Sequence, residues 1–107
     1  MTETKYLRKI QSFVRRSGRL SKAQSIGLNE LWSSYGVDLS EKKLDFDKLF
    51  VSKNNVTLEV GFGNGNSLLE MAIEQSNQNF LGIEVYEAGV GRLINEANKN
   101  KLTNLKI

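Results

Sequence analysis

Neither cysteine nor histidine occurs anywhere in the 107 residues. The first absence excludes a disulfide framework, a thiolate zinc site and a cysteine nucleophile; the second removes the imidazole that most often serves as general base or metal ligand. Proline is missing as well. No apolar run exceeds a few residues, and the N-terminus lacks the apolar core and small-residue cleavage site of a secretory signal, which reads as a soluble, cytoplasmic protein with no membrane span and no metal. No internal repeat or low-complexity tract is present. What remains is globular in character, 25% charged and 39% apolar with one Trp, three Tyr and five Phe, at a length that holds one domain.

The net charge of +3 conceals an asymmetry. Residues 1–24 carry seven Lys/Arg against one acid and residues 25–107 carry eight against eleven, giving +6 and −3 for the two parts. A basic arm on a mildly acidic body suits contact with a polyanion, because Lys/Arg contacts release the counterions condensed on nucleic acid. Charge alone fits a solvated tail equally well.

The chain divides into a basic N-terminal arm (1–20), a helix and connector (21–55) and an α/β unit (56–107). In the arm, Lys5, Arg8, Lys9, Arg15, Arg16 and Arg19 accompany no sustained apolar periodicity. Ser21 and Gln24 form a capping box, and Leu28, Leu31, Trp32 and Tyr35 fall at i, i+3, i+4 and i+7, so the spacing predicts an amphipathic helix ending at Gly36. Its place in that stripe assigns Trp32 to core packing rather than base stacking. Residues 37–55 read as a connector that lays Leu39, Leu44, Phe46, Leu49 and Phe50 on the body as anchors and closes in an Asn54-Asn55 turn.

From Val56 the pattern is strand, glycine loop, helix, strand. Val56–Val60 is β-rich, Gly61-Phe62-Gly63-Asn64-Gly65 follows, and Ser67 with Glu70 reads as a second capping box. Leu68, Leu69, Ala72 and Ile73 give the helix a buried face, and Phe80–Val85 reads as a second strand. A further helix carries Val90, Leu93, Ile94 and Ala97 on one side, with Glu87 near its start and Lys99 and Lys101 near its end. Leu105–Ile107 opens a third parallel strand. This βαβαβ order predicts one half of a Rossmann-like, doubly wound α/β fold, with strands lacking neighbours, and hence an incomplete domain.

The glycine loop departs from two phosphate-binding patterns. G-x-G-x-x-G needs glycine where Asn66 stands, and no Gly-Lys-Ser/Thr follows the loop. Two carboxylates give it a different meaning. Glu59 lies two residues before the loop, and Glu84 lies at the end of the second strand, nineteen residues after Gly65. Both should open at the carboxyl edge of the sheet, where ligands of open α/β sheets bind and where an acid can accept hydrogen bonds from ribose hydroxyls. An acid at Glu59 would repel a pyrophosphate but suits a ligand with an ammonium and a sulfonium, which S-adenosylmethionine is. Taken singly, each acid reads better as an ordinary one, Glu59 as a strand-end charge facing solvent or pairing with a lysine and Glu84 as a helix-start acid favoured by the dipole. Their combination around the loop favours a cofactor site. Gly82, Gly89 and Gly91 carry no comparable argument.

These residues resemble the bacterial tRNA (guanine-N(7)-)-methyltransferases from about Ile10 to Ile107. The arm from Ser12 to Gln24 is similar to that family's basic opening, Leu58–Gly65 to its cofactor loop, and Phe80–Gly91 to the stretch with its ribose-binding acid. The resemblance implies that Glu59 and Glu84 contact S-adenosylmethionine, that Gly61 and Gly63 line its methionine and ribose, and that the arm engages tRNA, with Arg15, Arg16, Arg19 and Lys22 as the candidate phosphate contacts. It implies methylation of a guanine at nitrogen seven in the tRNA variable loop. Ser33 and Ala88 stand where the family often has proline, and Tyr86 where it often has histidine. The family's later segments, including its Pro-Asp-Pro-Trp stretch, have no counterpart here, so no catalytic residue is assigned, and the chain by itself is expected to bind cofactor weakly or not at all and to transfer no methyl group. Two other readings are an RNA-binding half-domain completed by a partner chain and, on element order alone, an NAD-linked oxidoreductase.

Overall fold

The computed structural model describes residues 20–107. The chain forms helix α1 (Lys22–Glu30), the short helices α2 (Trp32–Tyr35) and α3 (Phe46–Leu49), then β1 (Val56–Val60), α4 (Asn66–Glu74), β2 (Asn79–Ile83), α5 (Glu87–Lys99) and β3 (Leu105–Lys106). The three strands are parallel in the order β1-β2-β3, with Glu59 opposite Gly82 and Phe80 opposite Leu105. This is an α/β arrangement. Among the described residues no helix is long and apolar enough to cross a membrane.

The core is built where α4 and α5 meet the sheet: Leu68 and Ala72 of α4, Phe80 of β2, Val90, Leu93, Ile94 and Ala97 of α5, and Leu105 and Ile107 around β3, with Tyr35 closing one side. The predicted stripe of α5 is buried throughout. On α4 only Leu68 and Ala72 are fully buried, while Ile73 stays exposed. The expected single helix before Gly36 is interrupted at Leu31, yet Ser21 caps it as predicted, accepting the Gln24 amide at 3.1 Å while the Gln24 side chain accepts the Ser21 amide at 2.8 Å.

Several local expectations are corrected. Ser67 does not cap α4, because that helix springs straight from the glycine loop with Gly65 at its N-cap position in the left-handed region and no side chain bonded to its first turn. The second strand ends at Ile83 instead of Val85, since the chain turns as the Glu84 side chain takes the Val85 and Tyr86 amides. In the connector Phe50 is a buried anchor, but Leu39, Leu44 and Phe46 remain exposed and Phe46 begins the unpredicted α3, capped by Asp45. A polar residue holds the far end of the sheet: buried Asn104 donates its side-chain amide to the carbonyls of Ala72 (2.9 Å), Gln75 (3.2 Å) and Gln78 (3.0 Å).

Candidate functional site

The loop between β1 and α4 owes its shape to glycine. Gly61, Gly63 and Gly65 all have positive φ, 75°, 64° and 82°, a region that side chains with a Cβ strongly disfavour. Among the described residues a Cβ at Gly61 or Gly63 would meet nothing within 4 Å, so these two turn a bare backbone face to open space there. The amides at the start of α4 have no side-chain cap and are left for an outside acceptor.

Glu84 ties this loop to the next strand. Its Oε1 accepts the Gly63 amide at 2.6 Å, and its Oε2 accepts the amides of Val85 at 2.8 Å and Tyr86 at 3.1 Å. A carboxylate offers about four acceptor positions, so one remains. Glu59, the penultimate residue of β1, is half-buried, and its Oε2 is buried without a hydrogen-bond partner among the described residues. An unpaired buried carboxylate oxygen is costly unless something cationic or donating completes it.

The N-terminal part of α5 presses on the loop from the other side. A Cβ on Gly89 would collide with the Gly63 carbonyl, and Arg92 Nη1 donates to the Asn64 carbonyl at 3.1 Å. Two residues after Gly89, Gly91 lies against the Gln24 carbonyl and Gly27 against the Gly91 carbonyl, so α1 and α5 cross at backbone contact, joined also by a hydrogen bond from Asn95 Nδ2 to the Ala23 carbonyl. Gly82 lies under Leu68 and Phe62, 2.7 and 2.8 Å from where its Cβ would be. Gly82, Gly89 and Gly91, which pattern alone left without a role, are needed for close approach. Only the contacts across the fold reveal it.

Beside Glu84 and the ends of β2 and β3 lies a cavity of about 280 Å³ whose apolar walls include Trp32, Val37, Leu44, Leu81 and Ile107. Trp32 is half-buried and reaches this wall, with its indole N–H donated to Asp38 Oδ1 at 2.7 Å. Trp32 thus packs as the stripe predicted and lines a cavity as well, which its spacing did not show.

A family model described as a putative methyltransferase matches residues 53–107, more than half of the chain and the whole of the loop-and-carboxylate arrangement. The chain belongs to this family. Relatives include the tRNA (guanine-N(7)-)-methyltransferase of Aliivibrio fischeri (strain MJ11), 49% identical over 105 residues that cover 98% of this chain and 44% of the relative. Proteins of the same description from Escherichia coli (strain UTI89 / UPEC) and Vibrio parahaemolyticus (serotype O3:K6, strain RIMD 2210633) are 50% and 47% identical over 94% and 96% of this chain, covering 42% and 43% of their own length. The chain therefore spans less than half the length of the curated relatives it matches.

Of the candidate site residues, Glu59, Gly61, Gly63 and Glu84 lie together around the β1–α4 loop at the carboxyl end of the sheet. Lys22 is exposed in the first turn of α1. Arg15, Arg16 and Arg19, with the rest of the arm through residue 19, fall outside the described residues.

Proposed function

We propose that the chain is the cofactor-side portion of an S-adenosylmethionine-dependent methyltransferase that methylates a guanine in tRNA at nitrogen seven. The strand order and parallel pairing support reading it as the first half of a Rossmann-like methyltransferase domain, with the arm (1–20), helix and connector (21–55) and cofactor unit (56–107) as its divisions. The observation that carries the cofactor reading is the unpartnered, buried Glu59 Oε2 next to a bare glycine face. An ammonium group completes such an oxygen, and the open space above Gly61 and Gly63 admits a ligand that any side chain would exclude. The remaining acceptor position of Glu84 faces a ribose hydroxyl in this reading, and the apolar cavity beside it takes a flat purine.

When bound, the cofactor supplies an electrophilic methyl group on a sulfonium. Guanine nitrogen seven already has a free lone pair, so transfer depends on in-line placement more than on proton removal. Residues of this chain hold the donor: Glu59 neutralises its positive end, the glycine loop fixes its depth, and Glu84 keeps that loop in place. Arg15, Arg16, Arg19 and Lys22 contact tRNA phosphates in this reading. No catalytic residue is assigned within the chain.

A chimera in which these 107 residues replace the matched part of the Escherichia coli relative tests the proposal. We expect methyl transfer to tRNA guanine, with Glu59→Ala and Glu84→Ala each sharply weakening cofactor binding measured by calorimetry. A folded chimera that binds no S-adenosylhomocysteine would overturn the reading.

A further inference from the structure

We propose that Arg92 is a positioning residue for the amino-acid end of the cofactor: from α5 it holds the peptide that follows Asn64, and through it aims the Asn64 amide at the ligand's carboxylate. The inference rests on the cofactor reading above and adds a residue to it.

Arg92 stands apart in the sequence. From residue 20 onward the cations are eight lysines and this one arginine. Among the described residues the one ion pair joins Lys99 to Glu96, so no carboxylate there claims the Arg92 guanidinium. It turns to backbone instead, its Nη1 donating to the Asn64 carbonyl at 3.1 Å across 28 residues of sequence. A guanidinium is a planar fork that stays charged, and a charged donor makes a stronger bond than a neutral one.

One side of α5 lies along the glycine loop. A Cβ on Gly89 would collide with the Gly63 carbonyl, Arg92 takes the Asn64 carbonyl, and the Leu93 side chain lies 2.9 Å from where a Gly65 Cβ would be. Residues 89, 92 and 93 share a helix face. Gly91 and Asn95 lie on the opposite side, where they meet α1 at the Gln24 and Ala23 carbonyls. With α1 behind it, α5 gives Arg92 a fixed base from which to hold the loop.

Peptide geometry carries that hold to the other side of the loop. Glu84 takes the Gly63 amide at 2.6 Å and so fixes the plane before Gly63. The plane after Asn64 is held at both ends, its carbonyl by Arg92 and its Gly65 amide by the Phe62 carbonyl at 3.0 Å. Between these two planes the Gly63 carbonyl points at Gly89, and in a trans peptide the N–H points the opposite way. The Asn64 amide is therefore turned away from α5, and no acceptor takes it among the described residues. Glu59, on the strand that leads into the same loop, has the unpartnered oxygen that suits an ammonium group. A ligand with an ammonium and a carboxylate on one carbon matches an acid and an amide donor on one loop. Without Arg92 the plane after Asn64 keeps only its Phe62 bond, and the carboxylate meets a donor that is no longer preoriented.

The test begins with the 107-residue chain without ligand. Arg92→Met should speed exchange at the Gly65 amide about tenfold or more, while the Leu93 and Ile94 amides inside α5 keep their protection. The chimera described above then reads, by calorimetry, the affinities for S-adenosylhomocysteine and for methylthioadenosine, which lacks the amino-acid end. We expect Arg92→Met to weaken the first about tenfold and the second less than about twofold, with Arg92→Lys recovering part of the loss. A merely structural role would weaken both ligands alike. That result would overturn the proposal, as would unchanged Gly65 exchange, or full recovery of affinity by Arg92→Lys while Gly65 exchange stays fast, which makes the effect one of charge alone. An unaltered chimera that binds neither ligand overturns the functional reading, and with it the ligand step, whereas Gly65 exchange still decides whether Arg92 holds the loop.

Discussion

Glu84 Oε1 holds the Gly63 amide at 2.6 Å, a bond spanning 21 residues that joins the turn after β2 to the middle of the glycine loop. With the Val85 and Tyr86 amides on Oε2, the carboxylate fixes the loop before any ligand is involved. Part-buried hydrogen bonds to a charged acceptor are stronger than neutral ones. Glu84→Ala should therefore cost about 2 kcal/mol of stability in urea unfolding and speed exchange at Gly63. Glu84→Gln, which keeps one acceptor oxygen, should lose less; equal protection of the Gly63 amide in all three proteins would refute the clasp.

Gly89 limits how close α5 comes to the same loop. Gly89→Ala places a methyl group on the Gly63 carbonyl, and backbone cannot yield as a flexible side chain does. We expect a loss of about 1–3 kcal/mol, with chemical-shift changes concentrated at residues 61–65. Changes spread evenly over the sheet would contradict a local effect.

At the opposite end of the sheet, Asn104→Ala leaves three carbonyls without their shared donor. The expected destabilisation is about 1–3 kcal/mol, read by thermal or urea unfolding. A neutral result would mean that water replaces the amide.

Alkaline pH offers a separate check. Burial raises the Tyr35 phenol above its ordinary value of 10.0. Above pH 10 the unfolded chain gives up that proton while the folded chain keeps it, so the folded state binds more protons and stability falls as pH rises. Lys106, whose ammonium burial pushes below 10.5 while its Nζ donates to the Ser34 carbonyl at 2.6 Å, acts with the opposite sign over the window just below 10.5. Tyr35→Phe should remove only the first contribution, making stability above pH 10 fall less steeply than in the unaltered chain. Identical slopes would refute the assignment.

Local chemistry made much of this protein readable from its sequence. The β-rich run Val56–Val60, the capping box at Ser21 and the apolar stripe of α5 were legible because neighbours within a few residues determine them. The three left-handed glycines and the two flanking carboxylates were legible as a pattern for the same reason. The tertiary structure alone decided what those residues touch. It placed Glu84 on the Gly63 amide, left Glu59 Oε2 unpaired, and showed Gly89, Gly91 and Gly27 as points of backbone approach between segments distant in sequence. It also moved the start of α4 to the glycine loop, because positive φ at Gly65 launches the helix without a side-chain cap. Spacing encodes which face a residue occupies; burial, satisfaction of polar atoms and room for a Cβ depend on partners that only folding brings together.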